Sequence, residues 1–549
     1  MYLIENPVLQ RELLVNLRMG RAFVLLFVYQ ALLGAVVYFA WPQDTHLDLT
    51  ANSQHATQTR ALVDLFFIGQ FVIASMMAPS FAAGSITSEK EQHTYEMLLA
   101  SPLRPAAIVL GKLVAALTHL AVLIFASLPI VMLCLPLGGV SVYEVLAAYT
   151  GLLLSVITFG MISVACSAFF QRTSAALVVS YLLILPLVII GAIFWLQMAR
   201  NAEFRLMLIL TVLPALSAAA CLVLFFNTSS LLLHPPDVGS EGKEVVDLEQ
   251  EAQQAVGLVI QRDQFPDKLF APPKRDDLME DDANPVYDKE IRSEIFSQGT
   301  LMLRLVIQVS MVLAIPFMAV CLYIYPKWAA WYISYVVVFN MLVGPVFSAG
   351  SVTSERERET LDLLLTTVIT PWQILWGKLI AGLRVSSVLT LFLVWPVLLA
   401  CAMVKDYWTN LPSVGAYFSI ILLTCLTTAM IALFCSVLFR TTSMSLMTTY
   451  LVIILLFCAP LAVNFFAQTF FQDHPNTPWV AQMGFTSPFA ASFAVPLDIQ
   501  DSTSNAASEL QQQGNWPLYA LYVGSTLGIN GLLLLVMMWL FSTRWRVAA

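Results

Sequence analysis

The fold of this chain is decided by a stretch that occurs twice, as GSITSEKEQHTYEMLLASPLRPAAIVLGKL at residues 84–113 and as GSVTSERERETLDLLLTTVITPWQILWGKL at residues 350–379. Counted from residue 79, the two copies lie 266 residues apart and are identical at 17 of 35 positions. Shorter matches occur in the same order in both halves: Asn6-Pro7-Val8 with Asn284-Pro285-Val286, Cys166-Ser167 with Cys435-Ser436, and Thr173-Ser174 with Thr442-Ser443. Ordered matches of this kind indicate a tandem repeat of one unit.

The composition excludes a soluble globular enzyme. Of the 549 residues, 59% are apolar and 11% are charged, whereas soluble chains carry roughly 25% charged residues. Long apolar stretches of about 20 residues can cross the hydrocarbon core of a bilayer. They lie at 22–41, 61–83, 108–133, 142–170, 174–198, 206–232, 304–324, 328–349, 372–403, 411–439, 443–468 and 517–541. Because backbone groups in lipid must pair within their own segment, these stretches are predicted to be helices.

The predicted fold is an all-α polytopic membrane protein with about 12 transmembrane helices. An even number of spans inserts both units the same way round, which gives a parallel tandem repeat of two six-helix units. Composition sets the boundaries: 1–233 and 284–549 are the two units, and 234–283 is an acidic cytoplasmic linker. The second unit contains a polar extracytoplasmic segment, 469–514, before its last span.

The placement of Lys and Arg predicts that both termini are cytoplasmic. With this orientation 22 of the 27 basic residues lie inside, in keeping with the excess of positive charge in cytoplasmic loops. The five on the outer side are Arg60, Arg200, Arg205, Lys327 and Lys405. The linker holds 13 acidic and five basic residues, so it accounts for the whole net charge of −8. The remaining chain is neutral, which does not suggest nucleic-acid binding.

Amphipathic helices are predicted at the membrane surface in both halves. Asn6-Pro7 and Asn284-Pro285 have the N-cap and N1-proline pattern of a helix start, and we call these two the leading helices. In the repeated stretch, Ser88-x-x-Glu91 and Ser354-x-x-Glu357 have the spacing of a capping box, which predicts a helix start there. A solvated connecting loop is the alternative, and the existence of a second copy argues against it.

Several further polar residues have two interpretations each. Arg172 and Arg440 lie in the turns between the fourth and fifth spans and fit either the bias toward positive cytoplasmic loops or a second contact with a partner. His119 and Arg384 lie within the third spans and are candidates for the substrate pathway. Snorkelling to the membrane surface is the alternative for Arg384. Asp64, near the outer start of the second span, has two interpretations, contact with the substrate or pairing with Arg60 near the membrane surface.

The sequence contains no pattern for a metal site, a disulfide framework or a nucleotide-binding loop. The eight cysteines lie in apolar runs without a CxxC pair, and the six histidines form no HExxH. Gly111-Lys112 and Gly377-Lys378 lack both the upstream glycine and the following Ser or Thr of a P-loop. The chain is therefore not expected to be an enzyme or to bind ATP by itself.

The repeated pattern G-S-[IV]-T-S-E-[KR]-E…T…LL…P…GK, placed after the second span of each half, resembles the permeases of the type-2 exporter class of ATP-binding-cassette transporters. The resemblance implies six spans per half. It also implies that Ser85–Ala100 and Ser351–Thr366 are coupling helices that dock on nucleotide-binding subunits. The residues it assigns to ATPase docking are Ser88, Glu89, Glu91, Thr94, Ser354, Glu355, Glu357 and Thr360.

The function implied by this resemblance is a membrane permease that couples ATP hydrolysis by two separate ATPase subunits to substrate export. ATP and Mg would be bound by those subunits, so that the chain itself holds no cofactor, and membrane lipid would surround it in the bacterial inner membrane. A re-entrant extracytoplasmic segment is common in the family and fits 469–514. Two rival functions remain: an ion-coupled secondary transporter, and a non-transporting anchor that passes ATPase work to another protein.

Overall fold

The computed structural model describes residues 7–17, 20–40, 54–92, 94–135, 140–170, 172–197, 202–233, 284–292, 300–367, 369–470, 480, 482–497 and 515–544. Every element of regular secondary structure within these residues is helical. In the first half the helices are α1 (Pro7–Leu17), α2 (Gly20–Ala40), α3 (Gln54–Ala82), α4 (Gly84–Glu91), α5 (Tyr95–Leu99), α6 (Pro105–Met132), α7 (Val142–Phe169), α8 (Thr173–Gln197) and α9 (Ala202–Leu233).

The second half repeats this order. Its helices are α10 (Pro285–Arg292), α11 (Thr300–Met318), α12 (Ala329–Ala349), α13 (Thr353–Glu357), α14 (Leu361–Leu365), α15 (Pro371–Met403), α16 (Lys405–Thr409), α17 (Leu411–Leu438), α18 (Thr442–Ile453), α19 (Ala459–Phe470), α20 (Pro488–Ala494) and α21 (Trp516–Arg544). Two π-helical turns, Ala319–Ile324 and Ile454–Cys458, continue α11 and join α18 to α19.

The helices fall on the apolar stretches of the sequence. Among the described residues nine helices are long and apolar enough to cross a membrane, and the bent third span Pro105–Met132 makes ten. The first spans of the two halves are present as shorter apolar helices, Tyr29–Phe39 and Gln308–Ile324. The prediction of an all-α, multi-pass membrane protein built from two similar six-span halves is therefore confirmed.

The described chain packs as two compact units, one made of Met1–Pro236 with Leu461–Met483 and the other of Asp237–Pro460 with Gly484–Ala549. The fourth span is the packing centre of each. In the first unit α7 contacts α3, α6, α8 and α9. In the second unit α17 contacts α12, α15, α18 and α21. The same span thus organises both cores, as a repeat of one unit requires.

A pair of buried tyrosines shows the repeat at the level of single atoms. Tyr181 of α8 donates its hydroxyl hydrogen bond to the carbonyl oxygen of Met76, at 2.7 Å. Tyr450 of α18 donates to the carbonyl oxygen of Leu342, also at 2.7 Å. Both side chains are at most 1% exposed. Met76 and Leu342 are 266 positions apart and the two tyrosines are 269 apart, which are the offsets at which the second and the fifth spans match in sequence.

The leading helices form as predicted and pack on the third spans. α1 contacts α6, and α10 contacts α15. The Asn284 side chain caps α10, because its Oδ1 accepts a hydrogen bond from the backbone N–H of Val286 at 3.0 Å. Gly377 allows this contact to be close: a Cβ added there would lie 3.0 Å from the backbone nitrogen of Tyr287. The other predicted cap, Asn6, lies outside the described residues.

The segment before the last span is described only at 480 and 482–497, and there it contains the short helix α20. This helix packs against α12, α17 and α21, and Trp331 contacts Phe493 edge to face at 5.2 Å between ring centroids. The Ser413 hydroxyl donates to the carbonyl oxygen of Pro496. These contacts join α20 to the starts of α12 and α17, and the re-entrant form of the segment stays a prediction.

Replacing Gly377 by valine is expected to lower the melting temperature of the purified protein in detergent. The added side chain would press on Tyr287 and Val286, and overpacking of this kind costs about 1–3 kcal/mol. Gly524→Val is the control, since a Cβ there meets no atom of the described chain within 4 Å. Equal melting temperatures for the two variants would contradict the close approach of α10 to α15.

Candidate functional site

The repeated segments, residues 84–100 and 350–366, each contain two short helices instead of the single helix predicted. α4 and α5 form the first segment, and α13 and α14 form the second. The predicted capping boxes are wrong: Ser88 and Ser354 lie inside helices, and Glu91 and Glu357 are the last residues of theirs. Capping boxes of this spacing occur instead at Ser141 and Thr370, at the starts of α7 and α15.

A threonine closes the turn between the two short helices. The Thr94 hydroxyl donates to the Glu89 carboxylate, and the Thr94 N–H donates to the Glu89 carbonyl oxygen at 2.9 Å. Thr360 makes the same two bonds with Glu355. Since these bonds fold the chain back after the first short helix, a continuous helix cannot form through the segment. In the second copy Glu359 adopts a left-handed backbone with φ of 56° at this turn.

The break between the second span and the repeated segment is held by a serine from the fourth span. Ser167 Oγ accepts hydrogen bonds from the backbone N–H groups of Ile86 and Thr87, at 3.0 and 2.9 Å. The equivalent bonds of the second half run from Val352 N and Thr353 N to Ser436 Oγ, at 2.9 and 3.0 Å. Both serines are fully buried. They supply the acceptor that a helix start needs for its unpaired N–H groups.

A basic side chain in each repeated segment covers the carbonyl end of the fourth span. Lys90 Nζ donates to the carbonyl oxygens of Ala168 and Phe170, at 2.6 and 3.0 Å. Arg356 donates to the carbonyl oxygens of Val437, at 2.6 Å, and Phe439. A cation at the C-terminus of a helix is typically worth about 0.3–1 kcal/mol because it meets unpaired carbonyls and the negative end of the helix dipole.

The next residue in each segment is a glutamate that covers the amide end of the fifth span. Glu91 Oε1 accepts a hydrogen bond from the backbone N–H of Thr173 at 2.8 Å. The Glu357 carboxylate accepts hydrogen bonds from both the backbone N–H and the hydroxyl group of Thr442, at 2.8 and 2.7 Å. A carboxylate at a helix N-terminus is stabilising for the converse electrostatic reason. Adjacent residues of opposite charge therefore hold the two ends of one helical hairpin. We call these four side chains, of Lys90, Glu91, Arg356 and Glu357, the helix-end contacts.

Glu89 and Glu355 bind the lysine of the Gly-Lys pairs. Glu89 lies 3.1 Å from the Nζ of Lys112, which is 5% exposed. Lys378 Nζ lies 3.7 Å from Glu355 and 2.6 Å from Glu290 of the leading helix α10. Removing one member of such a buried ion pair leaves an uncompensated charge, which typically costs 3–5 kcal/mol. These lysines serve the fold of the segment.

The leading helices take part in the same ionic network. Lys289 of α10 lies 2.7 Å from Glu355, and Arg11 of α1 acts electrostatically on Glu89 in the first half. Arg11 and Lys289 occupy matching positions in the sequence repeat. An ion pair thus joins α10 to its repeated segment, and α1 acts on its own segment through a longer-range electrostatic interaction.

The second short helix of each segment presents an acidic residue followed by an exposed apolar one. Met97 is 76% exposed and Leu363 is 68% exposed, at matching positions. Glu96 and Asp362 precede them and are also exposed. A single exposed apolar side chain is ordinary on a protein surface, but here the exposure recurs at the same position of both repeated segments.

The buried side of this helix is held differently in the two halves. Tyr95 donates its hydroxyl bond to the carbonyl oxygen of Leu232 at 3.0 Å, and burial raises the pKa of this hydroxyl. Leu361 takes the matching position in the second half, where it is 4% exposed and packs in a cluster with Met537 and Phe541. A hydrogen bond to the sixth span in one half is replaced by apolar packing in the other.

The remaining predicted residues lie in different places. Arg172 is half-buried and Arg440 is exposed, both in the turns that the helix-end contacts hold. Arg384 lies half-buried on α15. His119 belongs to α6, and its side chain lies outside the described residues. Partner contact and substrate pathway remain predictions for these four.

Asp64 interacts electrostatically with Arg60, as one interpretation of the sequence held, and it also meets two residues of later spans. The Asp64 carboxylate accepts a hydrogen bond from the indole N–H of Trp195 at 3.1 Å, and it lies 3.5 Å from Nη1 of Arg205. Arg205 in turn lies over the Trp195 ring, 4.4 Å from its centroid. Arg205 begins the sixth span, and only folding brings it to the second span, so the nearby Arg60 was the sole candidate visible in sequence. Elsewhere in the described chain no cluster of His, Cys, Asp or Glu could hold a metal ion.

Replacing Ser167 by alanine is expected to lower the melting temperature, because two buried N–H groups lose their acceptor. An unsatisfied buried polar group costs about 1–3 kcal/mol. Ser155→Ala is the control, since the Ser155 hydroxyl only returns to the Gly151 carbonyl of its own helix. The variants are compared by thermal unfolding in detergent. If Ser155→Ala were as damaging as Ser167→Ala, the bonds to Ile86 and Thr87 would not stabilise the segment.

Comparison with known proteins gives one family. The family model described as ABC-2 family transporter protein matches the chain twice, over residues 8–230 and 220–544. Each match covers one half and includes one repeated segment. No curated protein matches the chain significantly.

Proposed function

The chain belongs to the ABC-2 family of transporter proteins, and from this membership we propose that it is the permease of an ATP-driven exporter. Membership itself makes the chain the membrane component of an ABC transporter, a class in which ABC ATPase subunits associate with the membrane part. The proposal adds that hydrolysis by those subunits drives export through this chain. The direction rests on the resemblance of the repeated segments to those of type-2 exporters.

The observation that carries the proposal is the pair of exposed apolar residues on the repeated segments. Met97 and Leu363 lie at matching positions, each next to an exposed carboxylate. Hydrogen bonds and ion pairs to the third, fourth and fifth spans hold both segments in place. A rigid surface with a central apolar residue and a polar rim suits protein docking. Two such surfaces suit two ATPase subunits.

The carboxylates assigned to docking from the resemblance have a different immediate role. Glu89 and Glu355 are half-buried or buried and bind lysines, while Glu91 and Glu357 hold the fifth span. Among these four, the exposed Glu91 and Glu357 could still border a bound ATPase. The proposed docking centre is therefore α5 and α14, with Ser88, Thr94, Ser354 and Thr360 shaping the segment behind it.

The proposed orientation places the repeated segments in the cytoplasm. This end of each unit holds the segment, the leading helix and the basic turn after the fourth span, and the positive-inside rule assigns such an end to the cytoplasm. ATP is available on that side only. Both termini are then cytoplasmic, and α20 lies toward the outer surface of a bacterial inner membrane.

The two rival functions differ in what they require. An ion-coupled secondary transporter has no use for a rigid docking surface and is disfavoured by the family match. A non-transporting anchor would bind ATPases in the same way. ATP-dependent flux in proteoliposomes, absent for an anchor, separates the two.

The double substitution Met97→Asp with Leu363→Asp is expected to abolish co-purification of the ATPase, since it places charge at the centre of both docking surfaces. The tagged chain is purified from its own cells, and P-loop ATPase polypeptides are identified by mass spectrometry. Vanadate-sensitive ATP hydrolysis of the complex is measured in parallel. The amount of chain in the membrane should not change, because both side chains are exposed.

Tyr143→Asp is the matched control. Tyr143 is 75% exposed in the first turn of α7, at the end opposite the repeated segments, where an acidic residue suits the helix dipole. It should leave ATPase association intact. Retention of the ATPase by the Met97 and Leu363 double variant would refute docking on α5 and α14.

A further inference from the structure

We infer that each repeated segment and the hairpin of the fourth and fifth spans move as one rigid body, so that displacement of the segment by an ATPase moves those two spans directly. The inference rests on the proposed function. In sequence the segment joins only the second span to the third. Its side chains, however, fasten it to a hairpin more than 70 residues away.

The bonds between the segment and the hairpin act at both ends of the hairpin turn. Lys90 holds the last carbonyls of α7, and Glu91 holds the first amide of α8. Ser167 reaches back from α7 to the start of α4. The Thr87 and Thr173 hydroxyls meet at 2.9 Å. Bonds that run in both directions resist sliding and rotation of the segment against the hairpin.

The second half builds the same connection with a different cation. Arg356 replaces Lys90 and Glu357 replaces Glu91, while Thr353 donates to Thr442 at 3.3 Å. The side chains of Lys90 and Arg356 share a positive charge and the length to reach carbonyls of the fourth span. They share little else, because a guanidinium and an ammonium bond with different geometry. The feature common to both halves is thus the connection itself.

Coupling needs an element that has two arrangements, together with rigid parts that carry the displacement. The segment and hairpin are joined by charged and buried bonds at several points, whereas the exposed face of α5 and α14 is left for the ATPase. The helix-end contacts are therefore positioning residues: they touch no nucleotide and act through the hairpin.

Distances between spin labels test this directly in the intact complex with its ATPase. A label pair at Arg358→Cys and Thr441→Cys, both exposed, spans the segment and the hairpin turn of the second half. A second pair, Gln92→Cys and Arg358→Cys, joins the two repeated segments. The native cysteines are buried or half-buried in the described structure, which favours labelling of the exposed positions. Distances are measured without nucleotide and after trapping with ATP and vanadate.

The expected result is a changed distance between the two segments and an unchanged distance within the segment–hairpin pair. A change in both distances overturns the rigid body and leaves the proposed function standing. No change between the segments overturns the proposed function, and the inference falls with it.

Substitutions give a second, independent test. Lys90→Met with Arg356→Met should still bind the ATPase, because α5 and α14 keep their exposed residues, but should lose about tenfold of vanadate-sensitive turnover, in the range of allosteric coupling. The matched control is the exchange Lys90→Arg with Arg356→Lys, since each half already uses the other's residue. Turnover of the control should match that of the native complex.

An engineered disulfide tests the same inference if the methionine variants fail to fold. Thr87→Cys with Thr173→Cys joins two positions whose hydroxyls are 2.9 Å apart. Locking a rigid body should leave ATP turnover unchanged between the oxidised and reduced forms. Loss of turnover on oxidation, with recovery on reduction, would show that the segment moves against the hairpin and would overturn the inference.

Discussion

The structure depends on the way two adjacent, oppositely charged side chains meet opposite ends of a helical hairpin. A helix that ends near a membrane leaves unpaired carbonyls, and the next one begins with unpaired amides. Lys90 satisfies carbonyls of the fourth span and Glu91 an amide of the fifth. Because the two residues are neighbours in sequence, one short helix fixes both spans at once. The second half reaches the same result with Arg356 and Glu357.

The buried lysines extend this constraint to the rest of each unit. A lysine with almost no exposure is costly unless it is paired, and Lys378 meets Glu290, Glu355 and the carbonyl oxygen of Ser351. These partners come from the leading helix and from the repeated segment. Gly377 brings the leading helix close enough for the first of them. The Gly-Lys pair resembles the end of a nucleotide-binding loop. In this chain, however, the glycine allows close helix packing and the lysine forms buried ion pairs.

Where the two halves differ, the difference lies mostly away from this common end. The first half alone has Asp64 with Arg205 and Trp195, and only the second half inserts α20 among its spans within the described residues. Parts that meet equivalent ATPase subunits would be expected to stay alike, and parts that meet a substrate or the outer surface can diverge. The conserved shape of the repeated segments and the divergence elsewhere agree with that division.

The sequence by itself determined the helical class, the two six-span halves and the position of the repeated segments, because apolar length and internal identity are properties of the chain alone. It also identified Glu89, Glu91 and their copies as special. Tertiary structure alone decided what they do, since Thr173 and Lys112 lie 82 and 23 residues away from the glutamates they bind. The capping-box spacing placed Ser88 and Glu91 together at one helix start. In the structure the Glu91 carboxylate instead caps the helix that begins at Thr173, 82 residues later. Long-range partners of charged groups are set by packing, and a single sequence does not contain that information.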